Sequence, residues 1–161
     1  QVLYHEFRIK PERVCMWIKE TSTPKNNVAF AKTYEPCVYG TYGKPYLNSS
    51  QKRFNEIFNK NIEPGNQVHD SIRDYFNIWA ERTPEDKKTS HQKPLSVIER
   101  PLKRCTAPGH IVADMYAGAG STLIACEHLG RKARVMEKDP LNATIIIDRW
   151  EDLTGIKAKR L

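Results

Sequence analysis

Hydrophobic and polar positions change rhythm several times along the 161 residues, and the pattern is sharpest toward the C-terminus. After the turn residues of "APGHIVADM", a short apolar run at about His110–Asp114 predicts a strand. "STLIACEHLG" predicts a helix ended by Gly130, where a left-handed backbone suits glycine. "ARVMEKDP" predicts a second strand, ending at Glu137. Asp139 and Pro140 then supply an N-cap and a first-turn proline for a helix, "LNATIIIDRWEDLTG", stopped at Gly155. Strand, glycine-rich turn, helix, strand, helix is a βαβ unit, which implies a parallel sheet in an α/β chain.

Upstream the rhythm is less regular. "HQKPLSVIERPLKRC" has helical composition, but Pro101 in its interior removes a backbone hydrogen bond and predicts a kink or a split. In "PGNQVHDSIRDYFNIWAER", Val68, Ile72, Tyr75, Phe76 and Trp79 recur at helical spacing, predicting a helix with one apolar face. "SSQKRFNEIFNKNI" predicts another, with Phe54, Ile57 and Phe58 inward, whereas "RVCMWIKE" and "EPCVYG" predict strands. "RTPEDKKTS" reads as a polar loop.

Composition adds little that this pattern does not already say. Hydrophobic residues make up 39% and charged ones 28%, as in a folded soluble domain. No apolar run reaches the roughly 18 residues that a membrane span needs, so no membrane partner and a cytoplasmic location are expected. The net charge of +7 is concentrated in residues 41–104, with 12 basic against 8 acidic side chains, and is compatible with a nucleic-acid partner. Cys15, Cys37, Cys105 and Cys126 form no C-x-x-C pair, so reduced core thiols are expected and no metal site.

The chemistry lies at the glycine turn. A strand-end acid, Asp114, precedes Gly118 and Gly120, and a helix opens at Ser121. Such a turn lets a ligand approach the backbone and offers free N–H groups to an anion. Seventeen residues after Gly120, Glu137 is placed to accept hydrogen bonds from both hydroxyls of a ribose. A nucleoside-containing cofactor across the strand ends follows. The dinucleotide fingerprint needs a third glycine where this chain has Leu123, so a methyl donor built of adenosine and methionine fits better than NAD.

Residues 89–161 resemble the C-terminal part of the adenine-N6 and cytosine-N4 DNA methyltransferases with permuted motif order. The resemblance rests on "HQKP", on "ADMYAGAGST" against a D-P-F-x-G-S-G-T-T turn, on the acid Glu137, and on "DRWEDLTG" against R-W-E-x-x-T-G. "MWIKE" and "YEPCVYG" resemble the family's W-x-K and E-P-x-x-Y-G strands. The resemblance implies a Rossmann-like methyltransferase fold, with a mostly parallel sheet and helices on both faces, and S-adenosyl-L-methionine as cofactor. Asp114 would hold the methionine amino group, with Tyr116 replacing the usual Phe beside the cofactor. Gly118 and Gly120 would admit it, Ser121 and Thr122 would meet its carboxylate, Glu137 would hold the ribose, and Lys93 and Pro94 would close over the methionine end. Asp114 capping the turn and Glu137 as a solvated acid are the plainer alternatives. Met115 for Pro, Ala119 for Ser and His91 for Thr depart from the pattern without removing a charged cofactor partner.

Aiming an exocyclic amine at the methyl group falls, in this family, to a D-P-P-Y type tetrapeptide that also stacks on the flipped base. No D/N/S-P-P-Y/F/W occurs in residues 1–161. The expected chain is therefore one partial methyltransferase domain lacking the strand that carries this motif, with no catalytic residue of its own. Residues 41–90 are the candidate target-recognition region and 91–161 the cofactor-binding unit. The tetrapeptide would come from a longer polypeptide or from a second subunit, such as a homodimer partner; alternatively the chain is a relative that binds without turnover. Lys44, Lys52, Arg53 and Lys60, among Tyr42, Tyr46, Phe54 and Phe58, are the candidate contacts to double-stranded DNA. The expected function is DNA amino-methylation in restriction-modification, in a bacterium, archaeon or phage. A methyltransferase acting on a small molecule or protein is a third reading, disfavoured by the Q-K-P motif.

Overall fold

Among the described residues, two parallel strand pairings and one antiparallel pairing organise the chain. The computed structural model describes residues 2–19, 33–48, 78–81 and 92–160. These fall into two units, residues 1–81 and 82–161.

In the first unit, a short helix α1 (Val2–Phe7) leads into strand β1 (Lys10–Lys19), which pairs antiparallel with β2 (Tyr34–Thr41) and parallel with β3 (Ile78–Glu81). The strand order is β2-β1-β3. β2 is an edge strand, which is where Pro36, lacking an N–H, is tolerated. Trp17 stands opposite Trp79, both buried, and the Trp17 indole N–H donates to the Glu81 carbonyl at 2.9 Å. This aromatic pair corrects the expectation of a helix running through Trp79. Ile78 and Trp79 favour a pleated surface, and the ladder to β1 satisfies their backbone while burying the indole. The upstream positions Val68–Phe76, the helix expected around Phe54–Phe58 and the loop "RTPEDKKTS" lie outside the described residues.

The second unit is the βαβ arrangement expected from the pattern. Helix α2 (Leu95–Cys105) precedes β4 (Ile111–Asp114), α3 (Ser121–Leu129), β5 (Lys132–Val135) and α4 (Pro140–Thr154), with β4 and β5 parallel. Alternation in β4 and β5 turns Val112 and Ala133 to one face, where they pack with Leu95, Ile98 and Leu129 against buried Leu102, Ala125 and Cys126. This small core holds α2 and α3 over the strand pair.

Two boundaries differ from expectation. α2 runs through Pro101 as one helix. A proline inside a helix costs about 3 kcal/mol, and burial of Val97 and Leu102 on either side of it offsets that loss. β5 ends at Val135 rather than at Glu137, although pairing continues beyond it: Met136 N–H donates to the Asp114 carbonyl, and Ala117 N–H to the Met136 carbonyl. Gly130 and Gly155 close α3 and α4 in left-handed conformation, and the Asp139 carboxylate accepts from Leu141 N–H at 2.9 Å to cap α4. The cysteines are not all core thiols: Cys126 is buried, Cys15 and Cys105 are half-buried and Cys37 is exposed.

Candidate functional site

The strand ends of β4 and β5 each deliver a carboxylate to the loop that follows β4. Asp114 accepts from Tyr116 N–H through one oxygen at 3.0 Å and from the Thr122 hydroxyl through the other at 2.6 Å. The acid thus ties the turn to the first residues of α3. Glu137 reaches across to accept from Gly118 N–H at 2.7 Å, and its second oxygen accepts from Asp139 N–H at 2.9 Å. It is thus hydrogen-bonded to the loop while its side chain stays half-exposed. A carboxylate oxygen has two lone pairs, so both acids retain acceptor capacity after making these bonds.

The Asp139 and Gly118 N–H groups hold the Glu137 carboxyl below its ordinary value of 4.5, with smaller contributions from Lys138 and Asn142. A carboxylate held below its unfolded value adds stability above that value, and the addition is lost as the pH falls through the lower folded value. Wild type is therefore expected to be more stable than Glu137→Gln at neutral pH, and this difference should shrink as unfolding is measured progressively below pH 4.5. Glu12 and Glu151 are also held low, but both variants contain them and their effects cancel in the difference.

The two glycines do different jobs. Gly118 has φ 55°, and a side chain there would meet nothing within 4 Å among the described residues, so its backbone is open on that side to them. Gly120 has φ 78°, and a Cβ there would lie 3.0 Å from the Ile146 side chain. The sequence pattern assigns both glycines to the cofactor; in the structure the missing side chain of Gly120 also makes room for α4.

The Q-K-P segment lies beside the start of α3. The buried Ser121 donates its hydroxyl to the Lys93 carbonyl over a long 3.4 Å, and Pro94 is buried at the N-cap of α2. Tyr116 is 92% exposed, and Met115, Met136 and Leu141, neighbours in sequence of the two acids and of Asp139, are exposed as well. Asp114 thus joins Tyr116 and Thr122, Glu137 joins Gly118 and Asp139, and Ser121 is linked to Lys93. Thr122, expected at the cofactor carboxylate, uses its hydroxyl proton on Asp114. Lys44 is exposed in the first unit, and Lys52, Arg53 and Lys60 lie outside the described residues. Among the described residues no group of His, Cys, Asp and Glu could hold a metal ion, and no helix is long and apolar enough to cross a membrane.

Two contributors escaped sequence reasoning. Arg149 of α4 donates to the Ala119 carbonyl between the glycines, and Ile146, three residues earlier on the same helix face, supports Gly120. Burial pushes the Arg149 guanidinium down from its ordinary range. Next to it, the Trp150 indole N–H donates to Glu127 of α3 at 3.1 Å. The signal was present in "DRWEDLTG", whose arginine and tryptophan each tie α4 to the glycine turn or its helix. Arg149→Met leaves a buried carbonyl without that donor and is expected to lower the unfolding free energy by about 1–2 kcal/mol, measured by urea titration.

The model of the N6/N4 DNA methylase family, described as DNA methylase, matches residues 1–148. The chain belongs to the N6/N4 DNA methylase family. This methylase chain is 28% identical over 124 residues to the type II methyltransferase M.HindIII of Haemophilus influenzae, covering 72% of the chain and 40% of that protein. Its fold matches that of solved chains. The M1.HpyAVI–SAM complex matches with a TM-score of 0.67 at 21% identity, over 91% of this chain and 65% of that one. TTHA0409 of Thermus thermophilus, complexed with S-adenosyl-L-methionine, matches with a TM-score of 0.68 at 22% identity, over all of this chain and 62% of that one. The methylase chain therefore spans less than half the length of the Haemophilus protein and under two thirds of these two solved chains.

Proposed function

We propose that the chain is the cofactor-binding and target-recognition portion of a DNA methyltransferase that uses S-adenosyl-L-methionine to methylate adenine N6 or cytosine N4 in the cytoplasm. The observation that carries this reading is the Gly118–Glu137 pairing, in which a low-pKa carboxylate is fixed against a glycine whose other side is open. The residues fit the cofactor. Glu137 supplies acceptors for the ribose hydroxyls, and exposed Tyr116 and Met136 offer apolar surface to the base. Asp114, already oriented by Thr122, keeps acceptor capacity for an ammonium group, and the first N–H groups of α3 face a carboxylate well. When bound, the cofactor supplies an electrophilic methyl group on a sulfonium. The family match runs across both units, and we read residues 1–161 as parts of a single methyltransferase domain. Within it, residues 91–161 form the cofactor unit, with Lys93 and Pro94 closing over the methionine end, and residues 41–90 recognise double-stranded DNA. Lys44, Lys52, Arg53 and Lys60 are the proposed phosphate contacts.

No two prolines are adjacent in residues 1–161, so the aiming tetrapeptide is assigned to sequence outside them, in the same polypeptide or a partner subunit. The chain alone then binds the donor without turning it over. A transfer assay with labelled donor and duplex DNA, followed by nucleoside analysis, tests this reading. The polypeptide or complex containing the tetrapeptide should yield N6-methyladenine or N4-methylcytosine, and residues 1–161 alone should yield neither. Donor and DNA binding without transfer, even when the tetrapeptide is supplied, would favour a non-catalytic relative. Label appearing only in protein or small molecules would contradict the DNA assignment.

A further inference from the structure

Cys15 of β1 and Cys37 of β2 stand directly opposite each other in the antiparallel ladder. Lys19 N–H donates to the Thr33 carbonyl at 2.7 Å in the same register, and ladder alternation makes Cys15 and Cys37 a hydrogen-bonded pair, with Pro36 falling at a position that needs no N–H. Residues so paired have Cα atoms about 5.5 Å apart and side chains on one face. That separation lies inside the roughly 4.4–6.8 Å that a disulfide spans. Both residues are thiols, and Cys37 is exposed on the edge strand.

We propose that Cys15 and Cys37 form a dithiol oxidation site, closed reversibly into a cross-strand disulfide by low-molecular-weight disulfides of the glutathione class. The exposed Cys37 thiolate attacks the incoming disulfide and expels one thiolate, forming a mixed disulfide. The Cys15 thiolate then attacks the Cys37 sulfur and expels the second. One Sγ–Sγ bond forms and one small-molecule S–S bond breaks. The two cysteines are oxidised, the small disulfide is reduced to two thiols, and the two cysteine protons end on the leaving thiolates. Closing the bridge draws the opposed Cβ atoms of a hydrogen-bonded pair together by roughly one to two ångströms. An edge strand can yield by that much, and the resulting bond should remain easy to reduce. In a reducing compartment the pair rests as thiols and closes under oxidative challenge.

The test uses the whole chain with glutathione disulfide, followed by alkylation, intact mass and peptide mapping. Before alkylation wild type should be about 2 Da lighter, consistent with loss of two hydrogens; after alkylation in denaturant, Cys15 should be joined to Cys37, with Cys105 and Cys126 alkylated. Cys15→Ser and Cys37→Ser should instead carry glutathione on the remaining member of the pair. At equal glutathione poise, the folded chain should bridge at least about tenfold more favourably than the chain in urea, because the fold raises the effective thiol concentration. Stable glutathione on Cys37 of wild type, bridging to another cysteine, or no advantage over the urea-unfolded chain would each overturn the proposal. Failure here leaves the cofactor reading intact, since every residue of that site lies in residues 82–161.

Discussion

Replacing Glu137 by alanine is expected to weaken S-adenosyl-L-methionine binding by roughly ten- to a hundredfold, in keeping with the loss of charge-assisted hydrogen bonds. Two effects add. The ribose loses its acceptor, and the N–H groups of Gly118 and Asp139 lose the carboxylate that holds the loop and the start of α4. Glu137→Gln separates them, because an amide oxygen can still accept one of the two N–H bonds but lacks the charge and presents a donor on its other side. Its affinity should fall between wild type and alanine in an equilibrium titration. Equal affinity for all three proteins would remove Glu137 from the site.

The second large effect belongs to Gly120, and it should be an effect on folding. Alanine there must adopt φ 78° and push its Cβ to 3.0 Å from Ile146, whose side chain is buried. Backbone strain and overpacking together should cost about 2–4 kcal/mol in unfolding free energy. The steric part depends on Ile146, so Gly120→Ala combined with Ile146→Ala should cost less than the sum of the single changes. Gly118→Ala meets no neighbour within 4 Å among the described residues and carries the strain of φ 55°, about 1 kcal/mol. It should instead act on donor affinity, because its Cβ enters the space proposed for the cofactor. A common outcome for the two glycines, whether both structural or both affinity-limiting, would contradict this division of labour.

Legibility in the sequence followed how local the cause of each feature is. The βαβ unit was readable because its punctuation is short-range: Gly130 and Gly155 need only their own left-handed φ, and Asp139 with Pro140 caps a helix within two residues. Glu137 and Asp114 were readable as acids at strand ends, a matter of spacing. Long-range causes were hidden. Trp79 fits the helical spacing of the residues before it, yet its partner is Trp17, more than sixty positions earlier, and the parallel ladder between them decides the backbone. Pro101 marks a helix break by local rules, but burial of Val97 and Leu102 holds α2 together. The spacing of the glycines could not show that one faces open space and the other faces Ile146, and Arg149 reaches the Ala119 carbonyl thirty residues away. The pairing of Cys15 with Cys37 likewise depends on ladder register and not on any motif.

The central claim is that the turn between β4 and α3, with Glu137, holds the methyl donor. It is tested most directly by titrating S-adenosyl-L-methionine into isotope-labelled chain and following the backbone amide resonances. One saturable event at a 1:1 ratio should move the amides of Tyr116, Gly118, Ser121 and Thr122 together with those around Glu137 and Asp139. Donor added to folded protein without any saturable shift, or with shifts that leave these amides unmoved, would contradict it.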